Sequence, residues 1–198
     1  MASTLEPDVL QRALAGDEEA FTRVVETYQT PVYNLCARML GDGIEAEDAA
    51  QETFWRAYQA LHRYDRQRSF ATWLLSIAAH YCIDQQRKRR LPSIPITDMN
   101  EELMPDGAVD PESAVTFSER DARLHGLLNQ LNPQDRAALI LRYWYDFSEE
   151  EIASSLNLTV SAVKSRLHRA RLLLAQRWQT GQNEDLLLER ISHGSPAL

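Results

Sequence analysis

The chain has 198 residues, 44% of them apolar and 25% charged, and its 29 acidic against 21 basic residues give a net charge of −8. This balance is typical of a soluble globular protein, and no apolar run approaches the roughly 20 residues that a membrane span needs. The polar, acidic residues 1–8 lack the features of a secretory signal, so the sequence predicts a cytoplasmic protein with no membrane insertion.

Helical periodicity dominates residues 17–90. Apolar side chains recur three and four positions apart, and glycines at 41 and 43 interrupt the pattern. The stretch from 17 to these glycines is the first predicted helix. A second helix is predicted from about 44 to 61, a polar loop over 62–69, and a third helix from about 70 to 89. These elements predict one compact helical domain, in which both cysteines, Cys36 and Cys82, are interpreted as small buried side chains.

The next stretch, residues 91–116, contains four prolines, many acids and few aromatic residues. Such a composition cannot bury enough apolar surface to order itself, so it predicts a flexible linker. From 91 to 121 eight acidic residues stand against one arginine, whereas basic residues cluster at 87–90 and at 164–177. The negative charge is therefore local, and the two basic clusters are typical of surfaces that contact nucleic acid.

Helical periodicity returns at residue 117, and Asn132-Pro133 predicts the start of a further helix. Ser148 and Glu151 have the spacing of a capping box, so a helix is predicted to begin there, and Thr159 is predicted to cap the next one. Two helices joined by a three-residue turn form a helix-turn-helix, and the second of them has a polar, basic exposed side. The pattern predicts a second helical domain that binds DNA.

Five segments of the chain carry a resemblance to a known family. They are 47–54 (EDAAQETF), 70–78 (FATWLLSIA), 135–143 (DRAALILRY), 147–153 (FSEEEIA) and 163–171 (VKSRLHRAR). The first two resemble region 2, and the last three resemble region 4, of the extracytoplasmic function (ECF, group IV) sigma factors of the sigma-70 family, in particular sigma-E-like members. The likeness extends over residues 10 to 178, with the two regions in the family's order.

The resemblance implies an all-α fold with two small helical domains joined by a flexible acidic linker. Residues 1–90 correspond to region 2, a helical bundle that binds core polymerase and recognises and melts the minus-10 element. Residues 91–116 are the linker, residues 117–178 correspond to region 4, a helix-turn-helix that recognises the minus-35 element, and residues 179–198 are a C-terminal tail.

Candidate site residues follow from the same resemblance. The residues expected to bind core polymerase are Asp48, Gln51, Glu52, Phe54 and Trp55, with one of the two aromatic side chains in the protein core. Those expected to bind minus-10 DNA, with one base flipped into a pocket, are Arg63, Tyr64, Arg66, Arg68, Ser76, His80, Arg87 and Arg90. Those expected to bind minus-35 DNA, at base edges or phosphates, are Ser161, Lys164, Ser165, Arg166, His168 and Arg169.

The implied partners are the clamp helices of the largest polymerase subunit, the flap of the second-largest subunit, promoter DNA and an anti-sigma factor, in a stress or envelope response. The five histidines are scattered, without metal spacing or a nucleophile beside them, and no glycine-rich phosphate loop occurs. We therefore expect no catalytic residue, no metal site and no cofactor. The alternative is a stand-alone helix-turn-helix regulator that binds duplex DNA with its second domain and dimerises through its first, and binding to polymerase distinguishes the two.

Overall fold

The computed structural model describes residues 5–90 and 119–192, with side chains at 5–89 and 124–178. The regular structure within these ranges is helical, as the predicted all-α fold requires. The first domain consists of α1 Pro7–Leu14, α2 Glu18–Leu40, α3 Gly43–Ala60 and α4 Phe70–Arg90, and the second of α5 Glu119–Asn129, α6 Pro133–Trp144, α7 Glu149–Ser155 and α8 Val160–Ser192. The predicted linker, residues 91–116, lies outside the described residues.

In the first domain α2, α3 and α4 pack around apolar side chains, and α1 lies against α2. Helix α2 begins where the Asp17 carboxylate accepts the backbone N–H of Ala20 at 3.1 Å. It ends at Gly41, whose φ of +80° is the left-handed conformation that glycine adopts without a steric penalty. Helix α1 was not predicted. Eight residues are marginal as an isolated helix, so packing on α2 stabilises it.

In the second domain the predicted capping box is present. Ser148 Oγ accepts the N–H of Glu151 at 3.1 Å, and the Glu151 carboxylate accepts the N–H of Ser148 at 2.8 Å. Helix α7 ends at Ser155, and Asn157, two residues further on, has a left-handed φ of 54°. Thr159 Oγ1 then accepts the N–H of Ala162 at 3.2 Å and caps α8. The helix-turn-helix prediction is thus confirmed.

Helix α8 extends further than the sequence indicated. Its backbone continues without interruption to Ser192, past residue 179, at which the tail was predicted to begin. The first turns of α8 pack on α6 and α7 through Val163, Leu167 and Ala170, which are buried. The start of α8 is therefore held rigidly relative to the rest of the second domain.

The two domains also pack against each other. Helix α6 contacts α2 and α4, and α7 contacts α4. Buried apolar side chains form one continuous cluster through both domains, which includes Val32 and Leu74 in the first and Leu141 and Ile152 in the second. This arrangement places the helix-turn-helix beside α4.

The two cysteines lie together inside the first domain, one on α2 and one on α4. Cys36 and Cys82 are both reduced and fully buried, as the sequence predicted. A hydrogen bond between the two thiols, together with burial, raises the pKa of Cys82 far above its usual range. The thiolate of Cys82, which is the reactive form, is therefore strongly disfavoured.

Candidate polymerase and nucleic-acid interfaces

The residues predicted to bind core polymerase lie on α3. Asp48 and Gln51 are exposed and Glu52 is half-buried. Trp55 is 57% exposed, whereas Phe54 is only 9% exposed because it faces the core of the first domain. The expectation that one of the two aromatic residues is a core residue is confirmed. Phe54 is accordingly removed from the candidate contact surface, and Trp55 is the aromatic side chain that a partner can reach.

Trp55 belongs to a larger exposed aromatic group. Its ring stacks on that of Tyr58, with centroids 6.5 Å apart and an interplanar angle of 21°. The Tyr58 ring meets Phe21 of α2 edge-on at 4.9 Å. Sequence analysis did not single out Tyr58, although its position three residues after Trp55 places both on one side of the helix. An aromatic surface bordered by carboxylates and amides suits a protein contact.

The loop between α3 and α4 holds the first of the predicted minus-10 residues. Arg63, Arg66 and Arg68 are exposed, and Tyr64 is partly buried. The Tyr64 ring lies 5.3 Å from the rings of both Phe70 and Trp73, so it is part of an aromatic cluster at the start of α4. Partial burial raises the pKa of Tyr64, and its hydroxyl donates to the backbone carbonyl of Arg68. The loop is thereby tied to α4 while its cations face solvent.

A polar stripe follows on α4, where Thr72, Ser76 and His80 are spaced four residues apart. His80 Nδ1 lies 2.9 Å from the carbonyl oxygen of Ser76, which can only accept, so Nδ1 is the protonated nitrogen. His80 Nε2 lies 3.3 Å from the amide nitrogen of Asn157, and the Thr72 hydroxyl lies 3.4 Å from a carboxylate oxygen of Glu151. The second domain therefore contacts this stripe at both ends.

The end of α4 is basic, as predicted. Arg87 is exposed and lies 4.0 Å from Asp84, and Lys88 is exposed as well. Arg89 forms an ion pair with Glu45 of α3. The side chain of Arg90 is outside the described residues. Arg87 lies two turns beyond His80 on the same side of the helix, so it extends the α4 stripe toward its basic end.

The predicted minus-35 residues lie at the start of α8. Five of the six share an exposed face at helical spacing, and these are Ser161, Lys164, Ser165, His168 and Arg169. Lys164 Nζ lies 3.5 Å from a carboxylate oxygen of Glu149, and the lysine side chain is 63% exposed. Because an exposed ion pair of this kind is weak, Lys164 is available to a stronger anion such as a phosphate.

Arg166 differs from the other five, because it points into the second domain. Its guanidinium lies 2.7 Å from the carboxylate of Asp135 on α6, and the Arg166 side chain is only 22% exposed. Asp135 is buried and also accepts from the Asn132 side-chain amide at 2.6 Å. The assignment of Arg166 to the DNA-reading face is corrected here, since its partner Asp135 makes it a residue that positions α8 on α6. Position 166 lies three residues after Val163 and four before Ala170, which are both buried, so helical spacing indicated an inward orientation but not the partner.

Two models of known protein families match this chain, one in each domain. The family model described as Sigma-70 region 2 matches residues 24–91, and the model described as Sigma-70, region 4 matches residues 121–174. The ECF RNA polymerase sigma factor SigW of Bacillus subtilis is 35% identical over 170 residues, which cover 82% of this chain and 90% of that protein. The chain belongs to the ECF family of RNA polymerase sigma factors.

Other relatives are similar over the same span. The RNA polymerase sigma-H factor of Pseudomonas aeruginosa is 35% identical to this sigma factor, with 82% of this chain and 88% of that protein covered. Among solved structures, CnrH in complex with the cytosolic domain of CnrY has a TM-score of 0.66 at 23% identity, covering 89% of this chain and 99% of that one. The sigma factor RpoE in complex with the anti-sigma factor NepR from Bartonella quintana has a TM-score of 0.61 at 23% identity, covering 80% and 96%. These two structures share the fold of this chain.

The region 2 match extends from α2 to the end of α4, and the region 4 match covers α5, α6, α7 and the first part of α8. The candidate surfaces on α3, on α4 and on α8 all fall inside these matches. Within residues 5–90 and 119–192 of the sigma factor, no helix is long and apolar enough to cross a membrane. The same described ranges contain no group of three or more histidine, cysteine or carboxylate side chains placed to hold a metal ion.

Proposed function

We propose that this ECF sigma factor binds core RNA polymerase through the exposed face of α3 and directs transcription to promoters that its two domains read together. The observation that carries the proposal is that one chain presents three separate surfaces. One is aromatic and acidic, on α3, and two are basic, on α4 with its preceding loop and on α8. A stand-alone regulator that dimerises through its first domain could use the α3 surface for that contact, but it would not need a second basic surface on the same domain.

The α3 surface suits the polymerase. Trp55 and Tyr58 present a stacked aromatic pair, and carboxylates at Asp48 and Glu52 border it. A large aromatic anchor surrounded by polar groups is the usual centre of a protein interface. The clamp helices of the largest subunit are the proposed partner, and the flap of the second-largest subunit is proposed to bind the second domain.

The loop and α4 suit the minus-10 element. Exposed arginines at 63, 66 and 68 can neutralise phosphates, while Tyr64 and Trp73 border an aromatic cluster beside them. Such a cluster can stack an unpaired base, which offsets the few kcal/mol that flipping requires. Ser76 and His80 provide hydrogen-bonding groups on the adjoining stripe, and Arg87 is proposed to hold a phosphate further along.

The exposed face of α8 suits the major groove of the minus-35 element. Ser161 and Ser165 are short, so the helix backbone can approach the base edges closely, while Lys164, His168 and Arg169 reach outward. Because the linker joins the two reading domains, binding of one domain raises the effective concentration of the other at its element. Selection of a promoter then depends on both elements and on their spacing.

The proposal is tested by co-elution of the purified chain with core polymerase, followed by sequencing of transcripts from genomic DNA. Stable co-elution and new start sites that share upstream motifs are the expected result. If the chain fails to bind core polymerase yet binds duplex DNA tightly alone, the regulator is the correct function. An anti-sigma factor is proposed as a further partner, and it is identified by retention of a protein on the chain in the absence of polymerase.

A matched pair of variants sharpens the test for α8. Lys164→Gln removes a cation from the reading face, and Arg177→Gln removes one from the opposite side of the same helix, where it is also exposed. If Lys164 contacts a phosphate, its variant weakens binding to all minus-35 sequences and lowers the salt slope by about 1. If Lys164 reads a base, the variant loses its preference for the natural base pair at one position of the element. Equal effects of the two variants would argue against the assigned face.

A further inference from the structure

A groove between α3 and α4 collects positive charge beside the proposed polymerase surface. Its volume is about 240 Å³, and it is lined by Arg56, Tyr81, Asp84, Gln85, Arg87 and Lys88. Three of these side chains are cations and one is a carboxylate. We name this feature the α3–α4 groove. A cleft lined mainly by one sign of charge concentrates ligands of the opposite sign, so the groove is suited to an anion.

Arg56 is held in the groove by two contacts. Its Nε donates to a carboxylate oxygen of Glu52, one turn earlier on α3, at 2.7 Å. Its guanidinium lies over the ring of Tyr81 on α4, 4.7 Å from the ring centroid. A cation over an aromatic face at this distance is attracted to it, and the planar guanidinium is thereby kept in one orientation. Arg56 was not among the residues predicted to contact polymerase or DNA.

The remaining donors of Arg56 suit a phosphate. The hydrogen bond to Glu52 is made by Nε, and the two terminal nitrogens of a guanidinium present paired N–H groups that match phosphate oxygens. The Arg56 side chain is 47% exposed, so a ligand can reach it. Lys88 is exposed, and Arg87 is 4.0 Å from Asp84 in an exposed, weak ion pair. Cations from two helices are therefore available to one anion.

The groove is continuous with the cationic surface of α4. Arg87 lines the groove and also extends the α4 stripe toward its basic end. A DNA strand that follows the stripe therefore brings its backbone phosphates to the groove. This continuity favours a phosphodiester of promoter DNA over a free phosphate ion as the ligand.

Glu52 connects the groove to polymerase binding. Its carboxylate belongs to the proposed polymerase surface, and it lies against the guanidinium that a phosphate would use. A carboxylate next to an anion site weakens that site, and a cation that pairs with the carboxylate offsets the effect. The acidic border of the α3 surface is complementary to cationic side chains on a partner. Polymerase binding and phosphate binding are then coupled, and each strengthens the other by the same factor.

We propose that the α3–α4 groove binds a backbone phosphate of promoter DNA through Arg56, Arg87 and Lys88, and that docking of polymerase on Glu52 strengthens this binding. This inference rests on the proposed function. It adds a direct contact between the polymerase-binding helix and DNA, and it makes Arg56 the residue that both partners influence.

The groove is tested first in the free full-length chain, with inorganic phosphate as the probe. Phosphate is titrated into the isotope-labelled chain while the Arg56 Nε–H signal and the backbone signals of α3 and α4 are followed by NMR. We expect saturable shifts around the groove that Arg56→Gln abolishes. Arg23→Gln removes an exposed arginine of α2 and should leave the shifts unchanged. Absence of shifts in the natural chain, or equal backbone shifts in Arg56→Gln, would overturn the proposal.

The coupling is tested by neutralising Glu52 in the same titration. Glu52→Gln imitates a carboxylate paired with a polymerase cation, so we expect it to raise the affinity for phosphate about three-fold. Glu47→Gln removes an exposed carboxylate more than two turns earlier on α3, and screening at physiological ionic strength should make its effect negligible. Equal affinities in Glu52→Gln and the natural chain would overturn the proposed link between docking and the groove.

The salt dependence of promoter binding distinguishes DNA from a free phosphate ion. It is measured on holoenzyme assembled from core polymerase and either the natural chain or a variant. Loss of one phosphate contact lowers the slope of log K against log salt concentration by about 1. We expect this change for Arg56→Gln at every promoter and no change for Arg23→Gln. A purely structural role of Arg56 would leave the slope unaltered. An unaltered slope would overturn the assignment to DNA even if inorganic phosphate binds.

Failure to bind core polymerase has a separate meaning for each chain. If the natural chain fails to co-elute, the proposed function is wrong, while the phosphate titration still tests the groove. If only Arg56→Gln fails to co-elute, Arg56 belongs to the polymerase contact, and its assignment to the groove is overturned. Co-elution of both chains, with a lower salt slope for the variant, supports the inference.

Discussion

At the scale of single residues, the ion pair between Asp135 and Arg166 joins α8 to α6. Asp135→Asn leaves the guanidinium of Arg166 largely buried without a carboxylate partner. Because breaking one side of a buried pair leaves an uncompensated charge, we expect a loss of about 3 kcal/mol in the free energy of unfolding, measured by urea titration. The pair is 2.7 Å apart and its carboxylate side chain is 7% exposed.

Two controls separate this effect from a general loss of charge. Asp48→Asn removes an exposed carboxylate on α3, and we expect it to change stability by less than about 0.5 kcal/mol. The double variant Asp135→Leu with Arg166→Met replaces the pair by apolar side chains, and it should recover much of the loss. Equal stability of Asp135→Asn and the natural chain would contradict the role assigned to the pair.

The cysteines provide a second residue-scale prediction. Cys36 and Cys82 are fully buried, and the hydrogen bond between the two thiols together with burial raises the pKa of the Cys82 thiol. Alkylation requires a thiolate that the reagent can reach, so iodoacetamide can label these two cysteines only after the chain unfolds. We expect the native rate to be roughly 10³-fold or more below that in urea. An added Gln29→Cys should be alkylated rapidly in the folded chain, and rapid labelling of the natural pair would contradict their burial.

At the scale of an element, the adjacent aromatic residues of α3 have opposite environments and hence opposite expected effects. Phe54 is 9% exposed and Trp55 is 57% exposed. Phe54→Ala removes core packing, so it should lower the free energy of unfolding by about 3 kcal/mol. Trp55→Ala should leave stability nearly unchanged and weaken binding to core polymerase about 30-fold, as loss of a central aromatic anchor does. Urea titration and a polymerase binding assay on both variants check the pair, and identical behaviour would refute the assigned orientation of α3.

Local patterns in the sequence were sufficient for most elements. The capping box of Ser148 and Glu151 and the cap at Thr159 depend on residues three apart, so their spacing alone predicts them. Helix α1 also has local signals that the prediction overlooked, namely Pro7 at its first position, Asp8 in its first turn and Arg12 in its last turn. The sequence did not show which of positions 54 and 55 of α3 faces the core, because both side chains are aromatic and apolar.

The contacts that depend on distant partners could not be predicted. Helical spacing places Arg166 next to the buried face of α8, but its partner Asp135 is 31 positions earlier in the chain. Arg136 and Met39 are 97 positions apart, and Tyr145 and Pro31 are 114 apart. Such pairs follow from the packing of whole domains. The sequence predicted which helices carry the candidate surfaces of this sigma factor, but not how the two domains pack on each other.

At the scale of the whole molecule, the continuous core predicts that the two domains stabilise each other. Arg136→Met removes the guanidinium that reaches the Met39 carbonyl, whereas Arg142→Met removes one that donates to the Phe147 carbonyl within the second domain at 2.8 Å. Loss of a hydrogen bond to a charged donor costs about 2 kcal/mol. We expect Arg136→Met to speed amide hydrogen exchange in the last turn of α2 and in α6, because it uncouples the domains.

The variant Arg142→Met serves as the matched control, since it makes the same change on the same helix. Its hydrogen bond is confined to the second domain, so faster exchange should appear in α6 and α7 while the last turn of α2 keeps its natural rate. Faster exchange in both domains with either variant would mean that α6 stabilises the first domain without the Arg136 hydrogen bond. Faster exchange in the last turn of α2 after Arg136→Met alone would identify the Met39 carbonyl as a point at which the second domain is held.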